Sequence, residues 1–496
     1  MMICARTGSV LLAVFVLVVA NANAAETSHK GTTAESASLR AGMAALKKKD
    51  YAAALARFKP LAKAGNAAAE AQLARMYEHA EGVARDYGVA AALYRTSADQ
   101  GNAMGENGLG ALYEGGKGVP LDYNKARTFF MKSEAHGNAM AVYNLGVMAE
   151  YGRGMRQDCD KAIGLFRSSA EQGYALAEYE LGKKYDESLG DETCALHDNA
   201  KAVKWYERAA AQPSTKGGIL AANNLGLMYE FGKGTPKNIK RAMALYRESA
   251  EGGNTIAQEN LGRSYEFGNG VKRNYAEALK WNRLAERSDD DEAEYDLGIM
   301  YENGWGVTKS ATEAVKYYLA AATQGEDAAE TRLGLIYLFG QGLQHDYKKA
   351  FAWCTRAAGQ GNTDGYNCLG MIYVNGYGVP RNVRRADDLF AFAANRGNSS
   401  AMLNLASSFM NGTGVQKDLV VAWALSQLAL SKHDEEQTTA ESYLWRIVAS
   451  LSTDQLGDAR RLYMNMRQSN VIAALDAYRA LRAKEAGIRS SDQATK

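Results

Sequence analysis

Small, apolar and aromatic residues return at fixed places along this chain. Leucine stands at 73, 109, 145, 181, 225, 261, 297, 333, 369 and 405, and every interval is 36 residues except one of 44. Four residues before each leucine is Ala or Gly, from Ala69 and Gly105 to Gly365 and Ala401. Four residues after it is an aromatic, as at Tyr113, Tyr229, Tyr301 and Phe409, with Ala149 the one departure. Places four apart share one face of an α-helix, so each leucine predicts an amphipathic helix.

Seventeen residues past the leucine comes an alanine (Ala90, Ala126, Ala162, Ala242, Ala278, Ala314, Ala350, Ala386, Ala422), followed by bulky residues as in KAVKWYERAA, 201–210. The copy that holds the long interval has Ala202 there, displaced by four inserted loop residues. A second amphipathic helix is predicted, so each unit reads helix, turn, helix, turn, with the aromatics filling the space between successive hairpins. A single hairpin cannot cover its own apolar face, whereas stacked copies cover one another's. The fold class is all-α, an α/α solenoid of helical hairpins. The glycine pairs of the turns, such as Gly116 and Gly118 or Gly304 and Gly306, recur after the aromatic. They follow a helix, whereas a phosphate-binding loop follows a strand, so they read as helix ends and chain reversals.

The spacing A-x-x-x-L-G-x-x-Y-x-x-G-x-G-V followed by K-A-x-x-W-Y-x-x-A-A-x-x-G resembles the Sel-one-like repeat family, a relative of the tetratricopeptide repeats. Copies such as AVYNLGVMAEYGRGM and AANNLGLMYEFGKGT carry the likeness. It places ten repeats over 66–432, with a degenerate capping hairpin at 38–65 and a helical C-terminal cap at 433–486, where Ser452 and Gln455 form a capping box. Segments 25–37 and 487–496 are polar and rich in small residues and are expected to be disordered. The fourth repeat departs twice, with DESLGDETCALHDNAKA between its helices and AQPSTKGGIL after the second.

Residues 1–24 differ from the rest. Arg6, an apolar stretch at 10–20 and Ala22-Asn23-Ala24 read as a secretory signal peptide, and the apolar stretch is too short to span a bilayer. The mature chain is expected to be periplasmic or secreted. Removing the signal takes Cys4 and leaves Cys159, Cys194, Cys354 and Cys368, which allow two disulfides in three connectivities or four free thiols. Cys354 and Cys368 lie symmetrically about Gly361, which favours that bridge and leaves Cys159 with Cys194.

Formal charge is only +2, with acids and bases interspersed, so no nucleic-acid partner is expected, and no later segment is apolar enough for a membrane span. The histidines are scattered, Cys194-x-x-His197 has no second pair, and no catalytic motif appears, so neither cofactor nor metal is expected.

The tetratricopeptide analogy puts the first helix of each unit on a concave face that binds protein or peptide partners. Its groove positions would be two before, two after and five after the leucine. The first row is Asn107, Tyr143, Tyr179, Asn223, Glu259, Tyr295, Thr331 and Asn367, types suited to a peptide backbone. The last row is Glu78, Glu114, Glu150, Asp186, Glu230, Glu266 and Glu302, then Leu338, Val374 and Met410. This change from acid to apolar reads either as two groove segments or as plain tolerance of solvent near a helix end. Trp305 and Tyr377 are either contact anchors or packed on the neighbouring turn. The function expected is an exported interaction scaffold without catalysis. The alternative is a cell-wall enzyme, of β-lactamase or peptidoglycan-hydrolase type, with a site in the groove.

Overall fold

The computed structural model describes residues 33–189, 193–288, 290–432 and 436–494. Among them are 25 α-helices, one 3-10 turn and no strand. The expected signal peptide and most of the expected linker fall outside these residues. From Thr33 onward the chain is helical, so the linker ends earlier than the sequence implied. Helix Val471–Ala494 likewise runs through most of the segment expected to be a disordered tail.

The helices pair as expected. Repeat 2, for example, has a first helix Ala103–Gly115 and a second helix Tyr123–Ala135. Local chemistry sets both starts: Asn102 and Asp122 accept the backbone N–H of the third helical residue. The contacts divide the chain into two compact units, Met1–Gly252 and Gly253–Lys496. The first holds the N-terminal hairpin (Thr33–Lys47, Tyr51–Lys63) and repeats 1–5; the second holds repeats 6–10 and three C-terminal helices. Within each unit every hairpin packs on the next. First helices of successive repeats also touch one another directly, as in repeats 1 and 2, 4 and 5, and 8 and 9. They therefore form the tighter side of each stack. The capping box at Ser452 is formed, and Ala459 and Leu462 of that helix are buried.

The two turn glycines have separate tasks. Gly116 is left-handed, with φ of 62°, and ends the first helix. Gly118 lies against the preceding repeat, where an added Cβ would sit 2.2 Å from the Tyr87 carbonyl oxygen. The turn aromatics pack on the preceding repeat too: Trp305 stacks on Tyr275 at 5.2 Å and Tyr377 on Tyr347 at 4.9 Å. The aromatic four after the leucine reaches the second helix of the preceding repeat: Arg95 and Arg283 donate to the Tyr113 and Tyr301 hydroxyls at 3.2 Å, and the Tyr229 hydroxyl donates to Glu207 at 3.1 Å. The same aromatic stacks within its own hairpin, Tyr113 on Phe129 at 5.8 Å and Tyr301 on Tyr317 at 5.4 Å.

Both expected disulfides form, Cys159–Cys194 and Cys354–Cys368. The first ties the enlarged turn of repeat 4 to the second helix of repeat 3, where Cys159 is the first helical residue.

Candidate interaction face on the first helices

The acidic row five after the leucine turns toward its own hairpin. The residue 21 after the leucine (25 in repeat 4) sits over the glycine of the LG pair; a Cβ on Gly226 would lie 2.6 Å from the Tyr246 ring, and one on Gly298 2.4 Å from Tyr318. That glycine and the acid are four residues apart, so they differ by only about 40° around the helix. The acid therefore meets the tip of the same ring. Where the ring is tyrosine its hydroxyl donates to the acid: Tyr94 to Glu78 at 2.8 Å, Tyr206 to Asp186 at 3.3 Å, Tyr246 to Glu230 at 2.6 Å and Tyr318 to Glu302 at 2.6 Å. Burial first, and the nearby carboxylate after it, raise the Tyr246 and Tyr318 hydroxyls well above the ordinary tyrosine value.

Where the ring is phenylalanine, a cation from the following repeat takes over. Arg153 pairs with Glu114 at 2.9 Å beside Phe130, and Lys184 with Glu150 at 2.5 Å beside Phe166. Where the residue is Cys354, Phe390 or Ser426, the place of the acid is taken by Leu338, Val374 or Met410. An acid thus stands wherever the hairpin supplies a tyrosine hydroxyl, and beside phenylalanine it stands where the next repeat supplies a cation, as at Glu114 and Glu150 but not at Val374 beside Phe390. Tyr246→Phe is expected to cost about 1–2 kcal/mol by orphaning Glu230, and adding Glu230→Leu to recover most of it. Urea unfolding of the single and double variants checks this.

The row two before the leucine is only partly open. Tyr143, Tyr179 and Tyr295 are half-buried, while Asn107, Asn223, Glu259, Thr331 and Asn367 are buried between first helices. Asn144 donates to Asn107 at 3.0 Å and Asn404 to Asn367 at 2.8 Å, stitching successive first helices together. Those two after the leucine, such as Val147, Leu227 and Ile299, are half-buried as well, and the open positions are those six after it. The latter include Tyr151, Phe231, Phe267 and Phe339, exposed by 54%, 61%, 62% and 48%. Met140 and Ile256, five before the leucine, are exposed as well. Six after lies about 40° from two after and so shares its outward face. This row was missed because the analogy chose the position one residue earlier. An aromatic ending the first helix in only some repeats was its signal.

Ten consecutive stretches match the Sel1 repeat: 67–102, 103–138, 139–174, 175–214, 219–254, 255–290, 291–326, 327–362, 365–398 and 399–434. The chain belongs to the Sel1 repeat family. Sel1 repeat solenoids are in general scaffolds for protein contacts. The chain is similar to the crystal structure of a protective antigen of uropathogenic Escherichia coli with an SLR fold, at 27% identity and a TM-score of 0.67, covering 93% of this chain and 96% of that one. It also resembles a Sel1 repeat protein of Oxalobacter formigenes, with 28% identity, a TM-score of 0.46 and coverage of 64% and 90%. No curated protein matches it.

One joint between Sel1 repeats differs from the others. Arg263, two after the leucine of repeat 6, lies 3.1 Å from Glu259 and, in repeat 7, 3.4 Å from Glu292 and 3.7 Å from Asp296. Burial, with Glu292 beside it, pushes the Glu259 carboxyl up, and the hydrogen bond with Glu259 holds Glu292 low. Burial also raises Glu266 to about 7, helped by the charge of Asp296, and raises Asp296 to about 6 against the pull of Arg263. The position 21 after the leucine is here Asn282, whose Nδ2 faces Met300 Sδ at 3.7 Å. Buried Glu266 Oε2, Asp296 Oδ2 and Asn282 Oδ1 have no hydrogen-bond partner.

Raised folded-state values mean that the native joint binds more protons than the unfolded chain does. Their stabilising effect is present below about pH 4 and is lost as pH rises through 6 and 7. Glu266→Gln is expected to stabilise residues 253–496 by about 1–2 kcal/mol at pH 8, after allowance for solvent screening, and to change little at pH 4. Thermal unfolding at the two pH values checks it.

Proposed function

We propose that this chain is an exported docking scaffold that holds partner proteins or peptides on the exposed face of its first helices. The observation that carries the reading is the row of exposed apolar side chains: Met140, Tyr151 and Phe231 in the first unit, and Ile256, Phe267 and Phe339 in the second. The Sel1 core is filled without them, and exposed apolar rows on a folded chain mark contact surfaces. The reading involves no catalytic step and no cofactor. Export to the periplasm or beyond is supported by Arg6, the apolar stretch at 10–20 and the two disulfides. Among the described residues no helix is long and apolar enough to cross a membrane. The similar antigen of uropathogenic Escherichia coli is in keeping with an exposed location.

The test is crosslinking in cells followed by mass spectrometry of the proteins captured. Tyr151→Ser with Phe231→Ser, and Phe267→Ser with Phe339→Ser, are expected to lower capture about tenfold, as lost hot-spot aromatics do. Thermal unfolding should stay near the parent's. Undiminished capture by both variants would overturn the reading.

A further inference from the structure

We propose that the joint between repeats 6 and 7 is a socket for one basic side chain, arginine or lysine, of a docked partner, with Glu266 and Asp296 as its acceptors and Glu292 at its mouth. The inference rests on the docking reading above and names the chemistry that one segment of the face selects.

The first support is internal comparison. In repeats 1, 4, 5 and 7 the acid five after the leucine receives a tyrosine hydroxyl from its own hairpin, and in repeats 2 and 3 a cation from the next repeat. Repeat 6 keeps the acid but has neither arrangement. Asn282 replaces the tyrosine, its amide group is turned to Met300, and its oxygen lies where a Cβ on Gly262 would come within 1.8 Å. Glu266 is 3% exposed and keeps one oxygen without a donor, while Asp296, 5% exposed, has for its Oδ2 no hydrogen bond and only the Arg263 guanidinium at 3.7 Å. A buried acceptor without a donor is costly, so the seven-copy pattern leaves one place where the donor must come from outside the hairpin.

The second support is charge. Three acids, Glu259, Glu292 and Asp296, lie within 3.7 Å of the Arg263 guanidinium, and Glu266, Asp290 and Glu326 add to the negative field. A second cation completes that set. Among the described residues no group of acids, histidines and cysteines has the arrangement of a metal site. A guanidinium, planar and with five donors, reaches two carboxylates at once.

The third is access. The Arg263 and Glu292 side chains are half-exposed, and Ile256 and Phe267, on the helix of Arg263, are exposed apolar residues. A basic residue set between apolar ones on a partner strand or helix matches this order. Such a cation displaces the protons held by Glu266 and Asp296, so binding tightens as pH rises.

Fluorescence anisotropy of the full mature chain tests the socket, using a labelled peptide with one arginine between leucine and phenylalanine residues and a twin with glutamine in its place. At pH 8 the arginine peptide is expected to bind at least tenfold tighter than its twin, and at pH 5 the gap should close. Glu266→Gln, which keeps the fold, should narrow the gap at pH 8, and Glu266→Gln with Asp296→Asn should abolish it. Equal binding of the twins, with both lost in Phe267→Ser, would overturn the socket and leave the docking face standing. A gap untouched by the acid variants would also overturn it, as would the absence of binding by either peptide. In that last case the cellular capture experiment decides the docking face separately.

Discussion

Lys184→Met is expected to destabilise the first unit by about 3–5 kcal/mol, the usual loss when one member of a buried ion pair is removed. The Lys184 and Glu150 side chains are 1% and 3% exposed, with Nζ 2.5 Å from the carboxylate. Without the ammonium, Glu150 is a buried charge whose hairpin offers only Phe166 in place of a tyrosine hydroxyl. Glu180, whose carboxyl burial raises and Lys183 and Lys184 pull back down, loses one of its two cations as well. Adding Glu150→Leu should restore most of the stability, because repeats 8 to 10 carry apolar residues at this place. Urea unfolding followed by circular dichroism distinguishes the cases. A single variant within 1 kcal/mol of the parent, by the ordinary scale of exposed pairs, would mean that Glu150 faces water after all.

Gly118→Ala carries the second large effect. The residue is left-handed, with φ of 68°, and an added Cβ would meet the Tyr87 carbonyl oxygen at 2.2 Å and its carbon at 2.4 Å. Backbone atoms cannot step aside as a flexible side chain does, so strain and overpacking add to about 3–5 kcal/mol. Gly137 is the control: φ is 82°, and nothing lies within 4 Å of its added Cβ. Gly137→Ala should cost only about 1–2 kcal/mol, the left-handed conformation alone. Equal losses in the two variants would show that the turn does not rest on the preceding repeat.

The fold was legible because it is written ten times. Leucine, small residue and aromatic at constant spacing leave no other period, and the turn glycines fall where two helices must end and reverse. The cysteines were legible too, since symmetry about Gly361 set one pair and left the other. What the sequence hid was direction. Five after and six after the leucine are neighbours in the chain but about 100° apart on the helix, enough to part a buried brace from an exposed contact. The brace could have been read by comparing the position five after the leucine with the one 21 after it: acid goes with tyrosine at Glu230 and Tyr246, and Leu338 goes with Cys354. Repeats 2 and 3 break that pairing with Phe130 and Phe166 and replace the hydroxyl by a cation, and repeat 6 breaks it with Asn282 beside Glu266, breaks that show only once the rule is known. Helices Thr33–Lys47 and Val471–Ala494 reach into both end segments. Polar, small-residue composition around Thr33 and beyond residue 486 does not forbid a helix that continues from a packed neighbour.

The central claim is that partners dock on the exposed face of the first helices. Photocrosslinking in cells tests it most directly, with benzoylphenylalanine placed at Phe231 or Phe267, and at the exposed second-helix residues Lys240 or Lys280. The account predicts partner adducts from 231 and 267 and none from 240 and 280. Adducts from the second-helix positions alone would contradict it.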